Sequence, residues 1–165
     1  MSESFANRSW FLSDETQTRA AGMALGHALV GCSSPKAMIV TLQGDLGAGK
    51  TTLVSALLHG MGHVGQVPSP TYTLIEPYEL AGRNLFHLDL YRLTDPQQLE
   101  DLGWRDLLQP GAILFVEWPE RVGGYLPTAD LSVRLDYPDG LTSGRQLVLK
   151  TNSESLQRLV DSLSF

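Results

Sequence analysis

Cysteine is nearly absent from this sequence. Cys32 stands alone, so no internal disulfide and no thiolate cluster can form, a pattern that fits a reducing compartment. Long apolar runs are also lacking: stretches such as Ala112 to Val116 fall far short of the roughly 20 residues that a membrane-crossing helix requires. Met1-Ser2-Glu3-Ser4-Phe5 has neither the basic start nor the apolar run of a secretory signal. The expectation is a cytoplasmic protein with no membrane contact. Basic residues are scarce, 12 Lys and Arg against 18 Asp and Glu, for a net charge of −6. Nonspecific affinity for phosphate backbones comes from clustered cations, so direct binding of DNA or RNA is disfavoured. Repeats and low-complexity tracts are missing as well, and 42% of residues are hydrophobic, which predicts one globular domain over residues 1–165.

What is present is an alternation of strand and helix patterns. Ser9 to Leu12 reads as a first strand, and Ser13 or Asp14 can cap a helix whose apolar side uses Ala21, Leu25, Ala28 and Leu29 before it ends near Gly31. Ala37 to Leu42 is a strand pattern entering glycine-rich sequence, and Leu53, Val54, Leu57, Leu58 and Met61 then follow a helical period. Tyr72 to Tyr78 and Asn84 to Tyr91 predict a hairpin around Ala81-Gly82-Arg83. Pro96 to Leu108 reads as a helix in one or two pieces, with Asp95 placed to cap it. Ile113 to Glu117 is a buried strand closing on a carboxylate. Leu131 to Asp136 and Gln146 to Lys150 predict strands that extend the sheet antiparallel. Thr151 with Glu154 makes a capping-box pattern ahead of a closing amphipathic helix. The order predicts an α/β fold of three layers like that of P-loop NTPases, a central mixed sheet with antiparallel additions and helices on both faces.

The segment Gly44-Asp45-Leu46-Gly47-Ala48-Gly49-Lys50-Thr51 satisfies G-x-x-x-x-G-K-[ST] completely and sits between a predicted strand and a predicted helix. Glycines let backbone N–H groups converge on phosphate oxygens, and the start of the following helix adds its positive dipole end. Lys50 is expected to reach the β and γ phosphates of ATP, and Thr51 to offer its hydroxyl to Mg²⁺; Thr52 extends the contacting stretch. Carboxylates are needed nearby. Glu117, after four apolar residues, has the position of a metal-binding acid at a strand end, and a buried carboxylate there needs a partner. In Phe86 to Tyr91, alternation puts His87, Asp89 and Tyr91 on one face, so Asp89 is the second candidate for metal binding and catalysis. His87 reads as packing or orienting, and Trp118 as a packed aromatic. A small-molecule kinase would also pair such a loop with a carboxylate, but the arginine-rich lid of such enzymes is missing here. The Asn-Lys-x-Asp guanine-reading tetrad is absent too, which favours ATP over GTP.

The loop at 44–52, Ser69-Pro-Thr-Tyr-Thr, His87-x-Asp89-x-Tyr91-Arg92, Glu100-Asp-Leu-Gly103 and Val116-Glu117-Trp118-Pro119 together resemble the TsaE family (formerly YjeE) over most of the chain. That resemblance implies a Mg²⁺-dependent ATPase, weak alone and stimulated by partners. Its role would be in placing threonylcarbamoyl on the adenosine beside the anticodon of ANN-decoding tRNAs. The partners implied are TsaB and TsaD, with TsaD-like proteins carrying the transfer and tRNA met only through the complex. It further implies Lys50 on phosphate, Thr51 and Glu117 on Mg²⁺, and Asp89 polarising water or completing the metal shell. Ser69 to Thr73 would sense the γ phosphate, and Thr18 would approach the adenine.

Overall fold

The computed structural model describes residues 7–141 and 143–165. The N-terminal residues read above for a secretory signal therefore lie outside it. Among the described residues the order is β1 (Asn7–Leu12), α1 (Glu15–Val30), β2 (Met38–Gln43), α2 (Lys50–Gly60), β3 (Ile75–Leu80), β4 (Arg83–Asp89), α3 (Gln97–Asp101), β5 (Ile113–Glu117), β6 (Leu131–Asp136), β7 (Arg145–Thr151) and α4 (Glu154–Ser162). The strands form one sheet in the order β1-β7-β6-β2-β5-β4-β3. Its centre, β6-β2-β5-β4, is parallel, while β3 on one edge and β7 with β1 on the other run antiparallel.

The pair β6 and β7 was expected to extend the sheet antiparallel, yet β6 joins β2 in parallel, Val40 opposite Leu131, and the direction reverses only at β7. A crossover through the short turns after β5 returns the chain to the same end of the sheet, as parallel pairing demands.

Alternate strand residues serve two cores. Val40, Leu42, Ile113, Phe115, Leu131, Val133 and Leu147 meet α1, α2 and α4 on one face. On the other, Ile39, Leu88, Leu114 and Val116 lie under Leu99 of α3 and the fully buried Trp104. A four-residue 3₁₀ turn, Trp104–Leu107, carries that tryptophan, and Gly103 in the left-handed region separates it from α3. The 96–108 stretch is thus helical in two pieces.

Caps follow the local sequence at α1 but not at α3 and α4. Asp14 is the N-cap of α1, its carboxylate accepting from the Gln17 N–H at 2.9 Å. At α3 the N-cap is Pro96 rather than Asp95, although the Asp95 carboxylate accepts from the Gln97 N–H at 2.9 Å. At α4 the cap is Ser153, whereas Thr151, the predicted cap, ends β7 and donates its hydroxyl to the Asp130 carbonyl at 2.6 Å. The hairpin also begins later than its residue types suggest. Residues 70–74 form a turn closed by the Leu74 N–H on the Pro70 carbonyl, with Leu74 at φ 64°, before β3 starts at Ile75.

Candidate functional site

Parallel β2, β4 and β5 end together, and the site lies beyond those carboxyl ends, where open α/β sheets hold ligands. The glycine-rich loop connects β2 to α2. It starts at Gly44, whose φ of 135° and close approach to β6 both require glycine: a Cβ there would stand 1.9 Å from the Leu135 carbonyl oxygen. Gly49 caps α2 in the left-handed region, so Lys50 and Thr51 occupy the first helical turn.

Around them opens a cavity of about 450 Å³ lined by Leu46, Lys50, Thr51, Asp89, Glu117 and Trp118 among others. The metal candidates Thr51, Asp89 and Glu117 and the phosphate candidates Leu46, Gly47, Gly49, Lys50 and Thr52 therefore share one neighbourhood, while Gly44, Asp45 and Ala48 do not line the cavity. Thr51 donates its hydroxyl to Glu117, at 2.9 Å from Oε1 and 3.1 Å from Oε2. Asp89 and Glu117 are register partners on adjacent strands, 8% and 2% exposed. Burial pushes the Asp89 carboxyl above its usual range. The Tyr91 N–H on Oδ1 at 3.0 Å opposes that, and the nearby Glu117 charge adds to it.

Lys50, 5% exposed, bends back on its own loop: Nζ donates to the Gly44 carbonyl at 2.9 Å and the Asp45 carbonyl at 2.7 Å. The ammonium also lies 4.2 Å from the centre of the Trp118 ring. Burial lowers its pKa, with Glu117 the strongest opposing charge. Two of the three ammonium N–H donors are thus used by the loop, and the third is free to meet a phosphate.

Thr18 lines a separate, smaller cavity of about 140 Å³ on the far side of the loop, with Asp14, Gly49, Thr52 and Arg145. It is 3% exposed, and its hydroxyl donates to the Asp14 carbonyl at 3.3 Å.

Several contributors were not identified from the sequence. The connection from β6 to β7 braces the loop: the Asp45 N–H donates to Asp136 at 3.2 Å and the Tyr137 N–H to Asp45 at 3.0 Å. Arg145 Nε donates to the Ala48 carbonyl at 2.7 Å. These partners are 90 or more residues apart in the chain, and no local pattern announces them. Trp118 does more than pack. At φ 58° it stands at the mouth of the cavity against Tyr91, ring centres 4.9 Å apart, and Arg121 lies over Tyr91 at 5.1 Å. Tyr72, 83% exposed in the 69–73 segment, is covered by Arg92 at 4.5 Å.

The donors present suit a hard divalent cation. Thr51 Oγ1 and the carboxylates of Glu117 and Asp89 are all oxygen ligands, and Mg²⁺ takes one or two carboxylates and completes its shell with water and phosphate. Among the described residues no three His, Cys, Asp or Glu side chains form a metal cage by themselves, so water or phosphate oxygens would complete the shell. No helix among them is long and apolar enough to cross a membrane.

Comparison with known proteins places this site in context. A family profile described as "Threonylcarbamoyl adenosine biosynthesis protein TsaE" matches residues 12–147. A protein of Haemophilus influenzae named tRNA threonylcarbamoyladenosine biosynthesis protein TsaE is 44% identical over 142 residues, 86% of this chain and 89% of the relative. A Nostoc protein of the same name is 40% identical over 133 residues, 78% of each chain. The crystal structure of Bacillus subtilis YdiB superposes with a TM-score of 0.74 at 22% identity, covering 94% of this chain and 93% of that one, and so shares the fold. The chain belongs to the TsaE family of tRNA threonylcarbamoyladenosine biosynthesis proteins.

Proposed function

We propose that this protein is a Mg²⁺-dependent ATPase that supplies ATP binding and hydrolysis to threonylcarbamoyl modification of the adenosine beside the anticodon. It acts in the cytoplasm with TsaB and TsaD rather than as the transferase. The observation that carries this reading is the Thr51 hydroxyl on both oxygens of buried Glu117, at the start of the helix that follows the glycine loop. The hydroxyl hydrogen points to Glu117, so the lone pairs of Thr51 Oγ1 would be available to hold a Mg²⁺ ion together with Glu117. The loop N–H groups and Lys50 would hold the phosphates, and Asp89, raised in basicity by burial, is suited to orient or polarise the attacking water. When bound, Mg²⁺ would neutralise the charge developing on the γ-phosphate oxygens.

The test is ATP hydrolysis by the pure protein, alone and with TsaB, TsaD and tRNA. Stimulation by the partners that requires Mg²⁺ and is lost in Glu117→Ala and Lys50→Ala is the expected result. Retained hydrolysis in Lys50→Ala, assayed with partners, would sink the site assignment. Partner-independent transfer of phosphate to a small acceptor would point to a kinase instead.

A further inference from the structure

One buried polar group beside the site has no part in the chemistry above. His87 lies on β4 with no exposed surface, and its Nε2 is 2.7 Å from Glu117 Oε1. Its other ring nitrogen, Nδ1, has no hydrogen-bond partner. An imidazole stripped of water is a costly way to fill space that leucine or phenylalanine would fill without penalty. Its one polar contact is therefore the feature that sets it apart from a packing residue.

From this geometry we infer that His87 is a positioning residue that holds the Glu117 carboxylate in the orientation needed for Mg²⁺. The inference rests on the proposed Mg²⁺-ATP site. The register shows how the hold works. His87 pairs with Phe115, and Asp89 with Glu117, so the imidazole sits one step behind the two carboxylates and reaches along β5 to Oε1. Thr51 holds the same carboxylate from α2. Oε1 is thus fixed by a strand residue and a helix residue together, and the glutamate cannot swing about its side-chain torsions without losing both. Hydrogen-bonded supports of this kind behind a metal-binding group are typically worth 10–100-fold in metal affinity.

The substitutions that test this are His87→Gln and His87→Asn. Glutamine carries its amide nitrogen about as far from Cα as Nε2 of histidine, whereas asparagine reaches only the Nδ1 position. Binding of a non-hydrolysable ATP analogue is measured by calorimetry at increasing Mg²⁺, with thermal unfolding of each variant recorded alongside. His87→Asn is expected to need roughly 10–100-fold more Mg²⁺ for the same gain in nucleotide affinity, with Mg²⁺-free binding unchanged, and His87→Gln to stay close to wild type. Equal Mg²⁺ requirements in wild type and both folded variants would overturn the inference. So would Asn and Gln variants impaired alike, which would mark His87 as a packing residue. A wild-type protein whose nucleotide binding ignores Mg²⁺ would instead sink the metal site itself.

Discussion

Replacing Gly26 with alanine should separate the two helices that frame the site, and the structure says by how much. Gly22 and Gly26, one turn apart on α1, lie against α2. A Cβ on Gly26 would stand 2.1 Å from the Leu57 carbonyl oxygen and 3.1 Å from Gly60 Cα, where ordinary contact begins at 3.4 Å. Both neighbours are backbone, so no rotamer change relieves the overlap and the helices must move apart. Overpacking of this kind costs roughly 1–3 kcal/mol, here toward the upper end, and alanine's better helix propensity returns about 1 kcal/mol. A net loss of about 2 kcal/mol lowers the melting temperature by roughly 4–8 °C in a chain of this length. The control is Gly31→Ala at the end of α1, where φ is −77° and the nearest atom, the Ala28 carbonyl oxygen, is 3.7 Å away. That change should stabilise by about 0.4–1 kcal/mol. Calorimetric unfolding of both variants decides the matter: if Gly26→Ala melts as high as Gly31→Ala, the backbone-on-backbone contact does not exist as described. Because α2 carries Lys50 and Thr51 in its first turn, Gly26→Ala should also weaken nucleotide binding.

Two further substitutions separate stability from function. Burial raises the Asp89 pKa in the folded state, so the native protein holds that proton to higher pH than the unfolded chain does; this residue's contribution to stability therefore grows as pH falls from the raised value toward the ordinary carboxylate range. Asp89→Asn should accordingly raise the melting temperature at pH 7 and converge with wild type in acid, while partner-stimulated turnover drops by about 10²-fold; a variant less stable at pH 7 would contradict the burial argument. Asp14→Ala removes the cap of α1 and should cost about 1 kcal/mol, a fall of roughly 2–4 °C measured by circular dichroism, and an unchanged melting temperature would refute the capping role.

The contact between α1 and α2 also shows where sequence reading stops. The helical period of α1 is legible in Ala21, Leu25, Ala28 and Leu29, of which Ala28 is half-buried and the other three are buried. The rest of its buried face is Thr18, Gly22 and Gly26, and a search for apolar bulk registers these as gaps. Their spacing of four residues was the available signal. The strands behave alike. Four apolar residues before Glu117 identified β5 as central, but nothing in Leu131 to Asp136 distinguishes a strand added in parallel from an antiparallel one. Direction there is set by the connection that precedes it, and the 119–130 stretch folds into short turns that carry no strong pattern.

At the site, motif and alternation together located Lys50, Thr51, Asp89 and Glu117, because each lies within a segment whose local geometry the sequence dictates. What the sequence leaves open is which segments become neighbours. His87 and Asp89 share a face by period two, yet the pairing that sets His87 behind Glu117 depends on the register between β4 and β5, separated by residues 90–112, which include α3 and the Trp104 turn. The same holds for Asp136, Tyr137 and Arg145, which reach the loop only because β6 lies beside β2. These contacts meet Asp45 and Ala48 from the opposite side to Glu117, so the loop is held between the β6–β7 connection and the carboxylate pair. Lys50 is tied to the same loop through the Gly44 and Asp45 carbonyls, which leaves its third N–H donor for a phosphate. Burial lowers the Lys50 pKa, and a bound phosphate, a full anion, would oppose that shift and favour the charged ammonium more than the two carbonyl dipoles do.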